Sequence, residues 1–207
     1  MRLHTPSLPV AGFLVAVCSS PILVKESLAQ GGRAVFGFGT GSGTIMCTAC
    51  RNAGNVGGST ALIQVGGPAT PHLQVGFSAD WWWHDFSSPQ PSEEGIFDLA
   101  VSVFYYPSTE HHRFFIEGGP ALSEAYATVT DSLALQRHGW GFTTGIGYDL
   151  APRWVVSLTP RLAYSYAWVG DINYPLGSNV PFARGWKHEV VSLGLGLTFH
   201  ERRARGR

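Results

Sequence analysis

Residues 153–168 read RWVVSLTPRLAYSYAW, and their alternation decides the fold. Trp154, Val156, Leu158, Leu162, Tyr164, Tyr166 and Trp168 share one parity, broken only at Pro160, while Arg153, Ser157, Thr159, Arg161, Ala163 and Ser165 share the other. A period of two sends alternate side chains to opposite faces of an extended chain, so this is a strand with one oily face and one polar or small face. The rule repeats at 189–199, where Val191, Leu193, Leu195, Leu197 and Phe199 oppose Ser192, Gly194, Gly196 and Thr198, and again at 140–150 and 97–105. Weaker copies at 33–41, 60–66, 72–85 and 113–129 bring the expected number of strands to eight.

The bulk composition fits such a chain. Only 14% of the 207 residues are charged, 26 are glycine and 13% are aromatic, which disfavours both disorder and an ordinary helical domain. Formal net charge is zero, so no nucleic-acid partner is expected. Ahead of the strands, residues 8–24 are apolar and small, and Ser27-Leu28-Ala29 sets small residues before a cut at Gln30. Residues 1–29 therefore read as a cleaved secretory signal; Pro9 and Pro21 interrupt a run already short for a membrane-spanning helix.

The connections are expected to sort by length: 67–71, 107–112 and 151–152 are short and proline-rich, and 42–59, 86–95, 130–137 and 169–186 are long. In an up-and-down barrel this alternation places the long loops at one end, and the short turns with both termini at the other. A soluble eight-stranded barrel lines its interior with apolar side chains. Here the apolar face is too bulky for a narrow lumen, and the opposing face is Gly, Ala, Ser and Thr with a few charges, so the oily face is expected to meet lipid. Aromatics gather towards the two ends, with Trp154, Phe114 and Tyr105 at one, and Trp81, Trp83, Trp140, Tyr164, Tyr166, Trp168 and Tyr126 at the other, as interfacial girdles do. The fold class is thus an all-β, eight-stranded antiparallel transmembrane barrel over 30–200, with a basic tail at 201–207.

This chain resembles the small outer-membrane β-barrels of Gram-negative bacteria, of the OmpA transmembrane-domain kind. The local element that carries the resemblance is Ser192-Leu-Gly194-Leu-Gly-Leu197-Thr-Phe199, similar to the family's terminal-strand assembly signal, although residues 200–207 follow the aromatic here. The resemblance implies outer-membrane lipids and the assembly machinery as partners, an extracellular side for the long loops, where a surface ligand would bind, and a periplasmic side for both termini and the basic tail.

The inward parity collects Gln74, Asp98, Glu117, Asp149, Arg153 and Arg161, expected to pair in a polar lumen network, with Glu117 and Arg161 in direct partnership. Trp81-Trp82-Trp83 breaks the large–small alternation; Trp81 and Trp83 read as interface anchors and Trp82 as a lumen cap. Cys47 and Cys50 in CTAC lie in the first long loop, and in an exported chain a small disulfide is expected; zinc would need two further ligands, for which His84 and His138 stand at the outer rim. Trp82, His84, Asp85, Ser87 and His138 supply residue types used by lipid-modifying enzymes, but at no matching spacing. The expected role is a plugged structural or surface-interaction scaffold, without cofactor or metal. The alternatives are a small-solute channel or binding barrel and, third, a lipid-modifying enzyme.

Overall fold

A computed structural model of the protein describes residues 35–47, 55–86, 92–108, 113–128, 134–150, 155–173 and 181–200. They form eight strands: β1 (Val35–Cys47), β2 (Val56–Pro68), β3 (Leu73–Phe86), β4 (Ser92–Tyr105), β5 (Phe114–Thr128), β6 (Ala134–Tyr148), β7 (Val156–Asn173) and β8 (Pro181–His200). Each pairs antiparallel with its sequence neighbour, and β8 pairs antiparallel with β1 to close the barrel. The expected signal at 1–29, Cys50, Ser87, Arg153, Trp154 and the tail at 201–207 lie outside the described residues.

The register fixes the tilt. Following paired residues around the barrel from Gly37 through Gln64, Ser78, Ala100, Ala121, Gly141, Ala167 and His188 returns to β1 at Cys47, ten positions further along. A stagger of that size on eight strands tilts them by roughly 40° to the axis. The outward face of β5 is uncharged from Phe114 to Leu122 and turns charged at Glu124; on β6 the same limit is His138 and on β8 it is Glu189. Nine residues at roughly 3.3 Å each and that tilt give about 23 Å of height, close to the ~25 Å apolar band of a membrane barrel.

Two expectations need correction. The strands run through much of what was read as long loop, including 42–47, 56–59, 92–95, 134–137, 169–173 and 181–186. The backbone ladder continues there while the apolar alternation stops, because above the charged ring neither face meets lipid and no pattern is required. Nor does connection length separate the two ends, since 106–113 is as long as the connections opposite. What distinguishes the far end is strand extension beyond the uncharged band. The β7–β8 hairpin carries the irregularities of this projecting part: its register shifts around Gly170 and Ile172, and Gly170 and Gly185 take φ of 84° and 56°, a region that a Cβ disfavours. Asp171 Oδ1 accepts the Gly185 N–H at 2.7 Å and steadies that bend.

The lumen also departs from the expected small and polar filling. An apolar cluster of Ile45, Trp82, Ile96 and Val190, with Val56 and Trp186 packed on it, lies at the projecting end. A second, of Phe104, Tyr106 and Phe115, lies at the other. The rings of Trp82, Phe104 and Phe115 fit because Gly58, Gly66 and Gly147 stand beside them. At Gly58 an added Cβ would stand 2.7 Å from Trp82 Cε2, so this glycine is what lets the indole lie against the wall. Trp82 Nε1 donates to Gly43 O at 3.1 Å, which satisfies its one polar group without water.

Candidate functional site: the lumen and its projecting mouth

Between the two apolar clusters is a polar middle. Arg161, on β7, donates through Nε to Glu117 Oε1 on β5 and through Nη1 to Asp80 Oδ1 on β3 at 2.6 Å. In a ring of eight, β3 and β7 stand opposite each other, so this guanidinium bridges the full width of the barrel. Its planar fork can meet two carboxylates at once, which an ammonium cannot do with the same geometry. The sequence named Glu117 and Arg161; it missed Asp80, although counting by twos from Gln74 to Trp82 passes through it.

Nearer the short-turn end, Thr159 Oγ1 donates to Asp149 Oδ1 at 2.5 Å and therefore accepts from Thr198 Oγ1 at 2.7 Å. Ser78 and Ser102 share a hydrogen bond of 2.8 Å across β3 and β4. Gln74 is buried in the lumen beside this layer. Of the expected network, then, Glu117 and Arg161 are in contact, Asp149 belongs to a separate threonine chain, and Asp98 belongs to a third group.

That third group was not legible beforehand. His188 is completely buried; its Nε2 lies 3.2 Å from Ser123 Oγ and 3.9 Å from Asp98 Oδ1. Asp98 Oδ1 has no hydrogen-bond partner among the described residues. Asp98 also sits directly opposite Asp80 in the β3–β4 register, two inward carboxylates side by side. A cavity of about 40 Å³ lies between the Arg161 bridge and the Trp82 cluster, lined by Asp80, Asp98, Thr60 and Thr143 among others.

On the outside, Trp140 and Trp168 are exposed with rings 6.3 Å apart, and Tyr164 and Tyr166 flank Phe142 at 6.0 and 5.7 Å. Trp81 and Trp83 are half-buried on the outward face, with the Trp81 ring 4.7 Å from that of Phe97. Ser192, Gly194, Leu197 and Phe199 all lie on β8 against β1, and the Phe199 ring packs against those of Phe36 and Phe38. Cys47 ends β1, and its side chain is outside the described set. The two histidines among the residue types of a lipid-modifying site are apart: His84 faces inward on β3, its Nδ1–H donating to Gly57 O, whereas His138 is exposed on the outward face of β6 and pairs with Glu124 at 3.6 Å.

Taken together, the closed antiparallel ring, the uncharged outer band and the polar lumen define a small eight-stranded barrel of the outer-membrane type. Solved structures agree on the fold. Ail, the attachment invasion locus protein of Yersinia pestis, in complex with the heparin analogue sucrose octasulfate, superposes with a TM-score of 0.53 at 12% identity, over 81% of this chain and 99% of that one. A major outer membrane protein from Thermus thermophilus gives 0.53 at 14% identity, over 82% and 99%. Neisserial surface protein A gives 0.50 at 16% identity, over 82% and 96%. No family profile and no curated protein matches the chain.

Proposed function

We propose that this chain is an exported outer-membrane barrel with a closed lumen, acting as a rigid scaffold that holds its four extended hairpins outside the cell. The observation that carries the reading is the Arg161 bridge to Glu117 and Asp80, set between two apolar clusters. A lumen filled in this way leaves little room for a water column, and two spaces that border Arg161 measure about 40 and 20 Å³. The uncharged band, with Trp140 and Trp168 at its upper edge, supports embedding in lipid with the projecting end outward and the termini in the periplasm. Phe199 packed against β1 supports a role for β8 in closure during assembly.

The function then belongs to the projecting hairpins. Arg137, Arg184 and Lys187 are exposed there on β6 and β8, Lys187 opposite Trp168 in the β7–β8 register and next to Trp186 along the chain, a combination that suits an anionic saccharide or sulfated ligand. The Yersinia structure was solved with such a molecule on a barrel of the same fold, which supports looking for one here. The test is planar-bilayer recording of the purified protein together with heparin binding. Silent membranes and salt-sensitive binding are expected, and steady unit conductance would replace the scaffold with a channel.

A further inference from the structure

We propose that the cavity between the Arg161 bridge and the Trp82 cluster is a binding site for a hard divalent cation, held by Asp98 and Asp80. The proposal is independent of which ligand the hairpins take. Asp98 and Asp80 occupy directly opposed register positions on β4 and β3, an arrangement that is repulsive when both are ionised. Asp80 is relieved by Arg161 at 2.6 Å. Asp98 has no such relief. It is 3% exposed, its Oδ1 makes no hydrogen bond among the described residues, and His188 Nε2 at 3.9 Å stands beyond hydrogen-bond reach and is already engaged with Ser123 Oγ.

The charges and the space both favour a cation. The polar middle sets three carboxyl groups, Asp80, Asp98 and Glu117, against the one guanidinium of Arg161, an excess of acidic groups that a divalent ion offsets. The cavity of about 40 Å³ exceeds what one water needs, so an ion with a retained water fits. Its lining offers carboxylates with the hydroxyl-bearing Thr60 and Thr143, oxygen donors of the kind that hard cations select over the softer metals. Trp82 and Ile96 cover the space from the projecting side, so uptake is expected during folding rather than by free exchange.

The experiment uses the chain without residues 1–29, stripped with chelator while unfolded and folded into detergent micelles with Ca²⁺, Mg²⁺ or Na⁺ at equal ionic strength. Bound metal after desalting and the denaturant midpoint are both measured. One Ca²⁺ per barrel is expected, with a midpoint that rises with Ca²⁺ concentration present during folding. Asp98→Asn should lower the affinity at least tenfold while keeping the heat-dependent gel mobility of a folded barrel. Thr60→Val, which leaves every charge in place, should weaken binding severalfold, and Glu124→Gln on the outward face should leave it unchanged. The proposal fails if the wild-type chain retains no stoichiometric metal, if Na⁺ at equal ionic strength has the same effect, or if Asp98→Asn binds as well as the parent. If Asp98→Asn does not fold, unchanged affinity in Thr60→Val overturns the proposal by itself.

Discussion

Two of the lumen's clusters of buried charge obey different rules. In the Arg161 cluster each carboxylate meets the guanidinium directly and the cation is met by two acids from separate strands. In the Asp98 cluster, the next inward position along β4 from Ile96, a carboxylate oxygen, an imidazole and a hydroxyl stand near one another, with one hydrogen bond of 3.2 Å between Ser123 and His188. Both are surrounded by the same barrel wall. The difference lies in the cation: each acid of the first cluster meets the guanidinium, although Glu117 Oε2 makes no hydrogen bond among the described residues, whereas Asp98 Oδ1 meets only an imidazole 3.9 Å away. A buried group left unsatisfied costs stability without return unless something else binds it.

The strongest way to break that contrast is to remove the crosslink. Arg161→Met leaves Glu117 and Asp80 buried without their cation, and a loss of about 3 to 5 kcal/mol is expected in reversible denaturant unfolding from micelles. Replacing all three by apolar residues of similar volume should restore most of it, because the cost is that of stranded charge. Pairwise, a double-mutant cycle between Glu117→Gln and Arg161→Met should show coupling of about 1 to 3 kcal/mol, and additivity would show that the contact contributes nothing specific.

Why one cluster was readable and the other was not follows from what alternation records. Parity alone assigns Asp98, Asp149 and Arg161 to the lumen, since each stands between outward apolar neighbours, and it assigns Glu117 there from the weaker pattern at 113–129. Partnership across the lumen depends on strand stagger, and the one pair that could be guessed, Glu117 with Arg161, was also the one with obvious opposite charge. His188 escaped because β8 was expected to begin at Glu189; the residues before it have no apolar face to mark them as strand. Trp82 was read inward despite breaking the large–small rule, but the apolar cluster around it was not, because Ile45 lies in a stretch whose two faces are both small and polar. Opposition of Asp80 and Asp98 is a register fact, and no single strand contains it.

A smaller effect tests the cluster that covers the polar middle. Gly58→Val pushes a branched side chain into the place of the Trp82 indole, so that either the indole leaves the wall or β2 shifts. A cost of about 1 to 3 kcal/mol is expected, as for other overpacked sites. The variant should also show brief conductance steps in a planar bilayer if the Trp82 cluster is what seals the projecting end. Persistent silence with the full stability loss would assign the seal to Arg161 alone. Smaller again is Asp98→Asn in metal-free protein, expected within about 1 kcal/mol of the parent, since losing this charge also removes its repulsion with Asp80.

The smallest effect belongs to the same chemistry placed outside. His138 and Glu124 lie 3.6 Å apart on neighbouring strands, an acid and a base as in the lumen, yet His138 is 73% exposed. Water already solvates the imidazole, and salt screens what attraction remains. His138→Ala should therefore change stability by no more than about 0.5 kcal/mol at low salt, with less effect as salt is added. A loss above about 1.5 kcal/mol, well beyond what an exposed pair supplies, would mean that this rim is covered in the folded protein, by detergent, lipid headgroups or another chain. In that event the projecting end would be a packed surface rather than a solvated one, and the contrast drawn between lumen and exterior would hold only below the charged ring.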